Sequence, residues 1–158
     1  MRRQIQALQQ QLMLATGLMD GRVAQENLHL TLRFLGQVPT AGLEPLHHGL
    51  CRVAAQPFEL QLDRWGQFTR PGILWIGPSQ PPESLLALQA AVAGASHDIR
   101  RPPVGAYKPH VTLFRKVNHL PEVTGFAPIS WHIEQFVLVE SMTRRTGVKY
   151  RVLQEYPF

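Results

Sequence analysis

The sequence contains a single cysteine, Cys51, and few acidic residues. One thiol excludes an intramolecular disulfide framework, and its presence fits a reducing cytoplasm, where we expect the protein to reside. No apolar run approaches the roughly 18–20 residues that a membrane helix needs. The opening segment MRRQIQALQQQL is too polar for the core of a signal peptide. Zinc-site spacings such as H-E-x-x-H are also absent, so we expect no metal and no other cofactor.

The shortage of acidic residues leaves a basic chain. Eleven Asp and Glu stand against sixteen Lys and Arg, which gives a formal net charge of +5. This balance favours an anionic partner, although a solvated basic surface would account for it equally well. With 44% hydrophobic and 17% charged residues over 158 positions, the chain has the composition of a folded domain, or of two small lobes with a shared core.

Periodic apolar residues predict three helices and six strands. The helices are expected at 2–14, 41–55 and 83–99, and the strands at 27–35, 58–63, 73–77, 109–115, 131–142 and 148–155, with turns at GQFTRPG and TRRTG. Because helices and strands do not strictly alternate, we expect an α+β domain with largely antiparallel sheets. The Pro-rich segment PSQPPES is the expected boundary between two halves.

One short pattern occurs twice. His29 and Thr31 lie in NLHLTLRFLG, and His110 and Thr112 lie in YKPHVTLFRK. Alternate residues of a strand share a face, so each His and its Thr should project together, roughly 6–7 Å apart. A single His-x-Thr in a strand is ordinarily structural. Two copies in opposite halves, each on a strand with an apolar opposite face, are better explained by function.

These residue types suit chemistry on a phosphate. Histidine takes and gives a proton near neutral pH, so one imidazole can remove a proton from water while the other protonates the departing oxygen. The Thr31 and Thr112 hydroxyls can donate hydrogen bonds to non-bridging phosphate oxygens. This scheme requires no metal.

The two motifs and their flanks resemble those of the two-histidine (2H) phosphoesterases. ENLHLTLRFLG (26–36) and YKPHVTLFR (107–115) are similar to the motifs of the RNA 2′,3′-cyclic phosphodiesterases, also called 2′-5′ RNA ligase-like proteins. FELQLDRWGQF and ILWIG resemble the central hairpin of that family. The resemblance covers about residues 2–155.

The resemblance implies one bilobal, pseudo-two-fold α+β domain over 1–158, with two mainly antiparallel sheets facing a central cleft and helices outside. The lobes would be roughly 1–80 and 81–158, with strands exchanged between them. The implied activity is metal-independent opening of a terminal RNA 2′,3′-cyclic phosphate to a 2′-phosphate, with reversible 2′-5′ RNA ligation in vitro. A non-catalytic RNA-end binder and a phosphodiesterase for another cyclic phosphate remain alternatives.

By position, the resemblance makes His29 and His110 the acid/base pair, Thr31 and Thr112 the phosphate donors and Arg115 a further phosphate-binding residue. We assign His110 as the base for water and His29 as the acid. Arg115 has the wrong parity for the His110 and Thr112 face, so it requires a bulge or the end of the strand.

Two further residues are candidates for substrate contact. Arg33 has the parity of His29 and Thr31 and could add positive charge, with a solvated role as the alternative. Tyr107 could stack on a nucleobase or pack internally. The expected partners are RNA ends bearing a 2′,3′-cyclic phosphate, including tRNA fragments, and the expected state is a monomer that binds no membrane.

Members of the resembled family open with an apolar strand before the first helix, and this sequence begins within the helix. Either the native protein has residues upstream or this variant lacks the strand; we expect an upstream start, with an intact mass above 17.9 kDa.

Overall fold

The computed structural model describes residues 1–99, 105–117, 125–144 and 147–158. The described residues form three α-helices and seven strands. The helices are α1 (Arg2–Thr16), α2 (Thr40–Leu50) and α3 (Glu83–Ala95); the strands are β1 (Phe58–Leu62), β2 (Arg64–Phe68), β3 (Ile73–Gly77), β4 (Val111–Arg115), β5 (Ile129–Ile133), β6 (Gln135–Arg144) and β7 (Gly147–Pro157). None of the described helices has the length and hydropathy required to cross a bilayer.

The described sheets confirm the predicted α+β class. Strands β2, β3 and β4 form one antiparallel sheet in that order, β6 and β7 form an antiparallel ribbon, and β1 pairs with β5. The predicted hairpin connection GQFTRPG leads into β3 from β2 and not from β1, which pairs with β5, and β2 was not among the predicted strands. Gly66 lies at the centre of β2 and has no side chain, so β2 does not show the alternation of apolar and polar residues that identifies the other strands.

All three helices exist, but two end earlier than the apolar periodicity predicts. Helix α2 ends at Leu50 and not at residue 55, and the chain leaves it through a tighter turn in which the Arg52 and Val53 amides donate to the Gly49 and Leu50 carbonyls at 3.2 and 3.1 Å. Helix α3 ends at Ala95 and not at residue 99. Directly after Ala95, the Ser96 hydroxyl donates to the Val92 carbonyl at 2.6 Å. Such a bond from a serine side chain competes with continuation of the helical ladder.

The strand predicted over 27–35 is wrong. Residues Gln25–Asn27 form a 3₁₀ helix, and in the segment that follows only Leu30 pairs, through an isolated antiparallel bridge to Val111. The chain bends at Leu32, so the apolar face does not continue and Phe34 is 69% exposed. A strand needs a continuous partner for its alternation to hold, and this segment has one bridge.

The strand predicted over 131–142 is two strands, β5 and β6, interrupted at Glu134. Phe136 at the start of β6 is buried, and the Phe158 amide donates to the Glu134 carbonyl at 3.0 Å. In the TRRTG turn, residues 145–146 lie outside the described part of the chain, as do residues 100–104 of the Pro-rich lead to the second motif.

The chain divides into two compact units. The first contains residues 1–30, 59–80 and 109–131, and the second contains residues 31–58, 81–108 and 132–158. One passage between the units falls at 80/81, within PSQPPES. Each unit is thus assembled from three separate stretches of chain.

The first unit holds α1 and the sheet of β2, β3 and β4. Its core consists of fully buried apolar residues of α1 and the strands, together with Leu28, which follows the 3₁₀ helix. They include Ile5, Leu28, Leu60, Leu62, Leu74, Ile76, Val111, Leu113 and Phe114. One face of the sheet therefore belongs to the core, and its opposite face can carry functional residues.

The second unit holds α2, α3 and the ribbon of β6 and β7. Its core is a cluster of Leu46, Leu50, Leu88, Val92, Phe136 and Tyr156. The rings of Phe136 and Tyr156 stack with centroids 4.7 Å apart, and the Tyr156 hydroxyl lies 3.0 Å from His47 Nδ1. Burial, together with Cys51 nearby, raises the pKa of Tyr156.

Candidate active site

The second motif lies on the edge strand of the three-stranded sheet. Val111 and Leu113 are fully buried, whereas His110 and Thr112 are half-buried. His110 follows the buried Pro109 and immediately precedes β4. Because His110 and Thr112 are two residues apart along extended chain, they belong to the same face. This is the placement that the sequence predicts for the second motif.

A bulge in β4 brings Arg115 onto this face. Thr112 pairs with Trp75, whereas Phe114 pairs with Leu74 and Arg115 with Ile73, so the register shifts by one residue at Leu113. Ile73 and Trp75 are two residues apart on β3 and share a face. Their partners Arg115 and Thr112 therefore share that face too. Arg115 has the wrong parity for this face in an ideal strand, and the bulge corrects it. Arg115 is exposed at the end of β4.

Backbone bonds on both sides lock the end of β4. The Arg115 amide donates to the Gly21 carbonyl at 2.8 Å, and the Val117 amide donates to the Gly72 carbonyl at 3.0 Å. Between them, Lys116 has a φ of 61°, a left-handed conformation that non-glycine residues rarely adopt. The chain thus turns sharply after Arg115, and the position of this residue is determined by backbone contacts.

The first motif is held from the other side. Leu30, the residue after His29, forms an isolated antiparallel bridge to Val111, which lies between His110 and Thr112. This bridge joins the two motifs within the first unit.

The tautomer of His29 follows from its hydrogen bond. Its Nδ1 lies 2.6 Å from the Asn27 carbonyl oxygen. Because a carbonyl can only accept, Nδ1 carries the proton of this bond and a neutral ring has its lone pair on Nε2. Nε2 is therefore the atom of His29 that can exchange a proton with a substrate.

Helix α1 supports both motifs. The amide nitrogen of Gln9, a residue only 1% exposed, donates to the Val23 carbonyl at 3.0 Å and to the Leu113 carbonyl at 2.9 Å. The Arg2 guanidinium donates to the Leu28 carbonyl at 3.3 Å. One helix thus bonds to the residue before His29 and to the residue after Thr112. Gln9 was not among the residues predicted from sequence, although a polar residue on the buried stripe of Ile5 and Leu12 was a readable signal.

The remaining candidates lie in the second unit. Thr31 is exposed and Arg33 is half-buried. The Tyr107 hydroxyl donates to the Thr31 carbonyl at 3.1 Å, and burial raises the pKa of Tyr107 far above its usual value of 10.0. The hydroxyl therefore stays neutral and able to donate at all ordinary pH values. Tyr107 bonds to the backbone of the first motif, a contact that the sequence did not predict.

Aromatic residues surround the second histidine. The ring of Phe68 meets the His110 ring at 80° with centroids 4.9 Å apart, and the indole of Trp75 lies 5.8 Å away. Trp75 itself is buried and only 5% exposed.

No three His, Cys, Asp or Glu side chains lie close enough to hold a metal ion within the described ranges. The two motifs contribute two imidazoles, a threonine hydroxyl and an arginine to the first unit. These groups can exchange protons and bind an anion.

Comparisons with known proteins identify the family of this chain. The family profile of the 2′-5′ RNA ligase superfamily matches residues 1–144. The chain belongs to this superfamily. A relative from Escherichia coli (strain K12), named RNA 2′,3′-cyclic phosphodiesterase, is 34% identical over 142 residues, which cover 85% of this chain and 77% of the relative.

Solved structures of the superfamily have the same fold. Escherichia coli LigT without ligand matches with a TM-score of 0.87 at 28% identity, over 99% of this chain and 89% of LigT. LigT in complex with 3′-AMP matches with a TM-score of 0.84 at 30% identity, over the same shares of both chains. The α+β, 2H-phosphoesterase fold predicted from the paired motifs is confirmed.

Proposed function

We propose that this chain hydrolyses the terminal 2′,3′-cyclic phosphate of RNA to a 2′-phosphate without a metal, as an RNA 2′,3′-cyclic phosphodiesterase. The observation that supports the proposal is the antiparallel bridge between Leu30 and Val111, because it joins the residue after His29 to the residue between His110 and Thr112. Two proton carriers and a hydroxyl donor around one small volume suit in-line displacement at phosphorus. The activity named for the Escherichia coli relative and the 3′-AMP bound by LigT support the same substrate class.

The proposed reaction is a single displacement. His110 takes a proton from water as the water oxygen bonds to phosphorus, and the bond from phosphorus to the 3′ oxygen breaks. Nε2 of a protonated His29 gives its proton to that oxygen, which leaves a 3′-hydroxyl and a 2′-phosphate. Thr112 and Arg115 donate to the non-bridging oxygens, where negative charge resides. From the motif alone, we assign the same role to Thr31, an added positive charge to Arg33 and a base contact to Tyr107.

When an RNA 5′-hydroxyl replaces water as the nucleophile, its oxygen would bond to the phosphorus of the 2′,3′-cyclic phosphate as the bond to the 3′ oxygen breaks, which leaves a 2′-5′ linkage and a 3′-hydroxyl. We further propose that the physiological substrates are tRNA fragments and that the protein acts as a cytoplasmic monomer. The basic net charge of +5 and the single Cys51 support an anionic partner and a reducing compartment. Light scattering on a sizing column tests the monomer directly.

The deciding experiment is incubation with a nucleoside 2′,3′-cyclic phosphate in EDTA, followed by phosphorus NMR. We expect conversion to the 2′-phosphate by the wild type and a loss of about 10²–10⁴-fold in rate for His29→Ala and for His110→Ala. Salt-sensitive RNA binding without turnover would instead identify an RNA-end binder. The formation of a 3′-phosphate would contradict the proposed direction.

The roles of the two histidines are separated by pH–rate profiles. The base must be unprotonated and the acid protonated, so the wild type should show a bell-shaped profile. We expect His110→Ala to lose the acidic limb and His29→Ala to lose the basic limb. Loss of the same limb in both variants would refute the assignment.

A further inference from the structure

The imidazole of His110 packs against two aromatic side chains of the same sheet. Phe68 on β2 contacts it edge to face at 4.9 Å, and Trp75 on β3 lies 5.8 Å from it. The two aromatic rings are 5.5 Å from each other. Edge-to-face and tilted pairs at 4.5–7 Å are favourable arrangements for such rings. All three rings therefore form one contiguous group on the face that carries Thr112.

Trp75 is seated in a gap that a glycine leaves. Gly66 pairs directly with Trp75 across the sheet, and a Cβ at this position would overlap three atoms of the indole. A Cβ at Gly77 would lie 3.2 Å from the same ring. The indole nitrogen of Trp75 is buried and has no acceptor among the described residues. Packing contacts of the indole, and not a hydrogen bond, therefore determine the position of this ring.

His110 needs such support because it precedes the first paired residue of β4. The backbone carries the residue to the sheet, but two side-chain torsions still decide where its nitrogen atoms point. Proton transfer demands heavy atoms within hydrogen-bond reach, and a displacement of about 1 Å can cost about 10²-fold in rate. Neighbours that confine the imidazole would thus contribute to the rate without touching the substrate.

We propose that Phe68 and Trp75, with the indole seated on Gly66, are positioning residues that hold the imidazole of His110 for proton transfer. This proposal rests on the proposed function, because it concerns the proton carrier of that reaction. Gly66 contributes through the side chain that it lacks, since the open space lets the indole lie against β2. From there the indole reaches His110.

The first test measures kcat and KM on a nucleoside 2′,3′-cyclic phosphate. Phe68→Ala should lower kcat about 10–100-fold with a KM within about threefold of wild type, because the substrate is still bound. Phe68→Tyr keeps the ring edge and should restore most of the rate. Gly66→Ala should lower kcat comparably although every ring is retained. Phe126→Ala is the matched control, since Phe126 pairs with Trp65 at 4.7 Å in the same unit, away from His110.

A double-mutant cycle separates positioning from a general loss of structure. If Phe68 acts through His110, then Phe68→Ala should not further lower the residual rate of His110→Ala. A multiplicative loss would overturn the proposal. Equal values of kcat for Phe68→Ala, Gly66→Ala and Phe126→Ala would overturn it as well.

The second test is independent of activity. Ring currents from Phe68 and Trp75 displace the NMR signals of the His110 ring protons. Phe68→Ala and Gly66→Ala should therefore move these signals more than Phe126→Ala does, with the signals of His29 as an internal reference. If the wild type fails to hydrolyse the substrate, the proposed function fails and this measurement still tests the packing. Unchanged His110 signals in both variants would refute the positioning role; Phe68→Leu replaces Phe68→Ala if the latter does not fold.

Discussion

Gln9 allows a stringent test of the structure through two substitutions. Gln9→Leu removes two buried hydrogen bonds, and Gln9→Glu also introduces a buried carboxylate. Its side-chain nitrogen donates to the carbonyls of Val23 and Leu113, and the residue is 1% exposed. Gln9→Leu removes both donors. At about 1 kcal/mol for each bond, partly offset by the gain of a buried apolar side chain, the free energy of unfolding should fall by about 1–2 kcal/mol.

The loss of stability caused by Gln9→Glu should depend on pH, whereas the loss caused by Gln9→Leu should not. A carboxylate facing two carbonyl oxygens is disfavoured, so the folded-state pKa of the new Glu should rise above its unfolded value of about 4.3. The native state then binds more protons than the unfolded state, and stability falls by about 1.4 kcal/mol per pH unit above pH 4.3 until the folded pKa is reached. With a rise of about 2–3 units, which is ordinary for a buried carboxyl, the added loss at pH 7.5 is about 3–4 kcal/mol.

The assay is urea unfolding followed by tryptophan fluorescence at pH 4.5 and pH 7.5. Gln10→Glu is the matched control, since Gln10 is exposed on the same helix and should show little change at either pH. If Gln9→Glu lost no more stability at pH 7.5 than at pH 4.5, Gln9 could not be buried against the two carbonyls.

Two other predictions follow from the segments beside the motifs. Tyr107→Phe removes the donor to the Thr31 carbonyl and should cost about 1 kcal/mol in chemical unfolding below pH 10, where the tyrosine remains protonated; no measurable loss would contradict the hydrogen bond. Gly21→Ala should destabilise by more than about 2 kcal/mol, because its φ is +75° and a Cβ would overlap the Arg115 carbonyl. Gly17→Ala is its control, with a φ of +69° and no atom within 4 Å, and should lose only about 1 kcal/mol; equal losses would refute the close approach of Gly21 to β4.

Local sequence signals located most of the regular elements. Apolar periodicity predicted α1, α2 and α3 because each helix buries one stripe, and Leu60 and Leu62 on β1 alternate with exposed residues as expected. The signals failed where a local pattern needs a distant partner. The alternation from Leu28 to Phe34 looks like a strand, but a single bridge at Leu30 cannot maintain it.

The sequence by itself determined the chemistry of this protein: two His-x-Thr motifs whose residue types suit proton transfer at a phosphate. It could do so because side-chain chemistry and the two-residue period of extended chain are local properties. The tertiary structure alone decided which of these groups share a face. The bulge at Leu113 that brings Arg115 beside Thr112 depends on the pairing of β4 with β3.

The support of the motifs is likewise tertiary. Gln9 bonds to Leu113, 104 residues along the chain, and Phe68 reaches His110 only because β2, β3 and β4 form one sheet. Register and packing arise from the free energy of the whole folded chain, so no local window of sequence contains them.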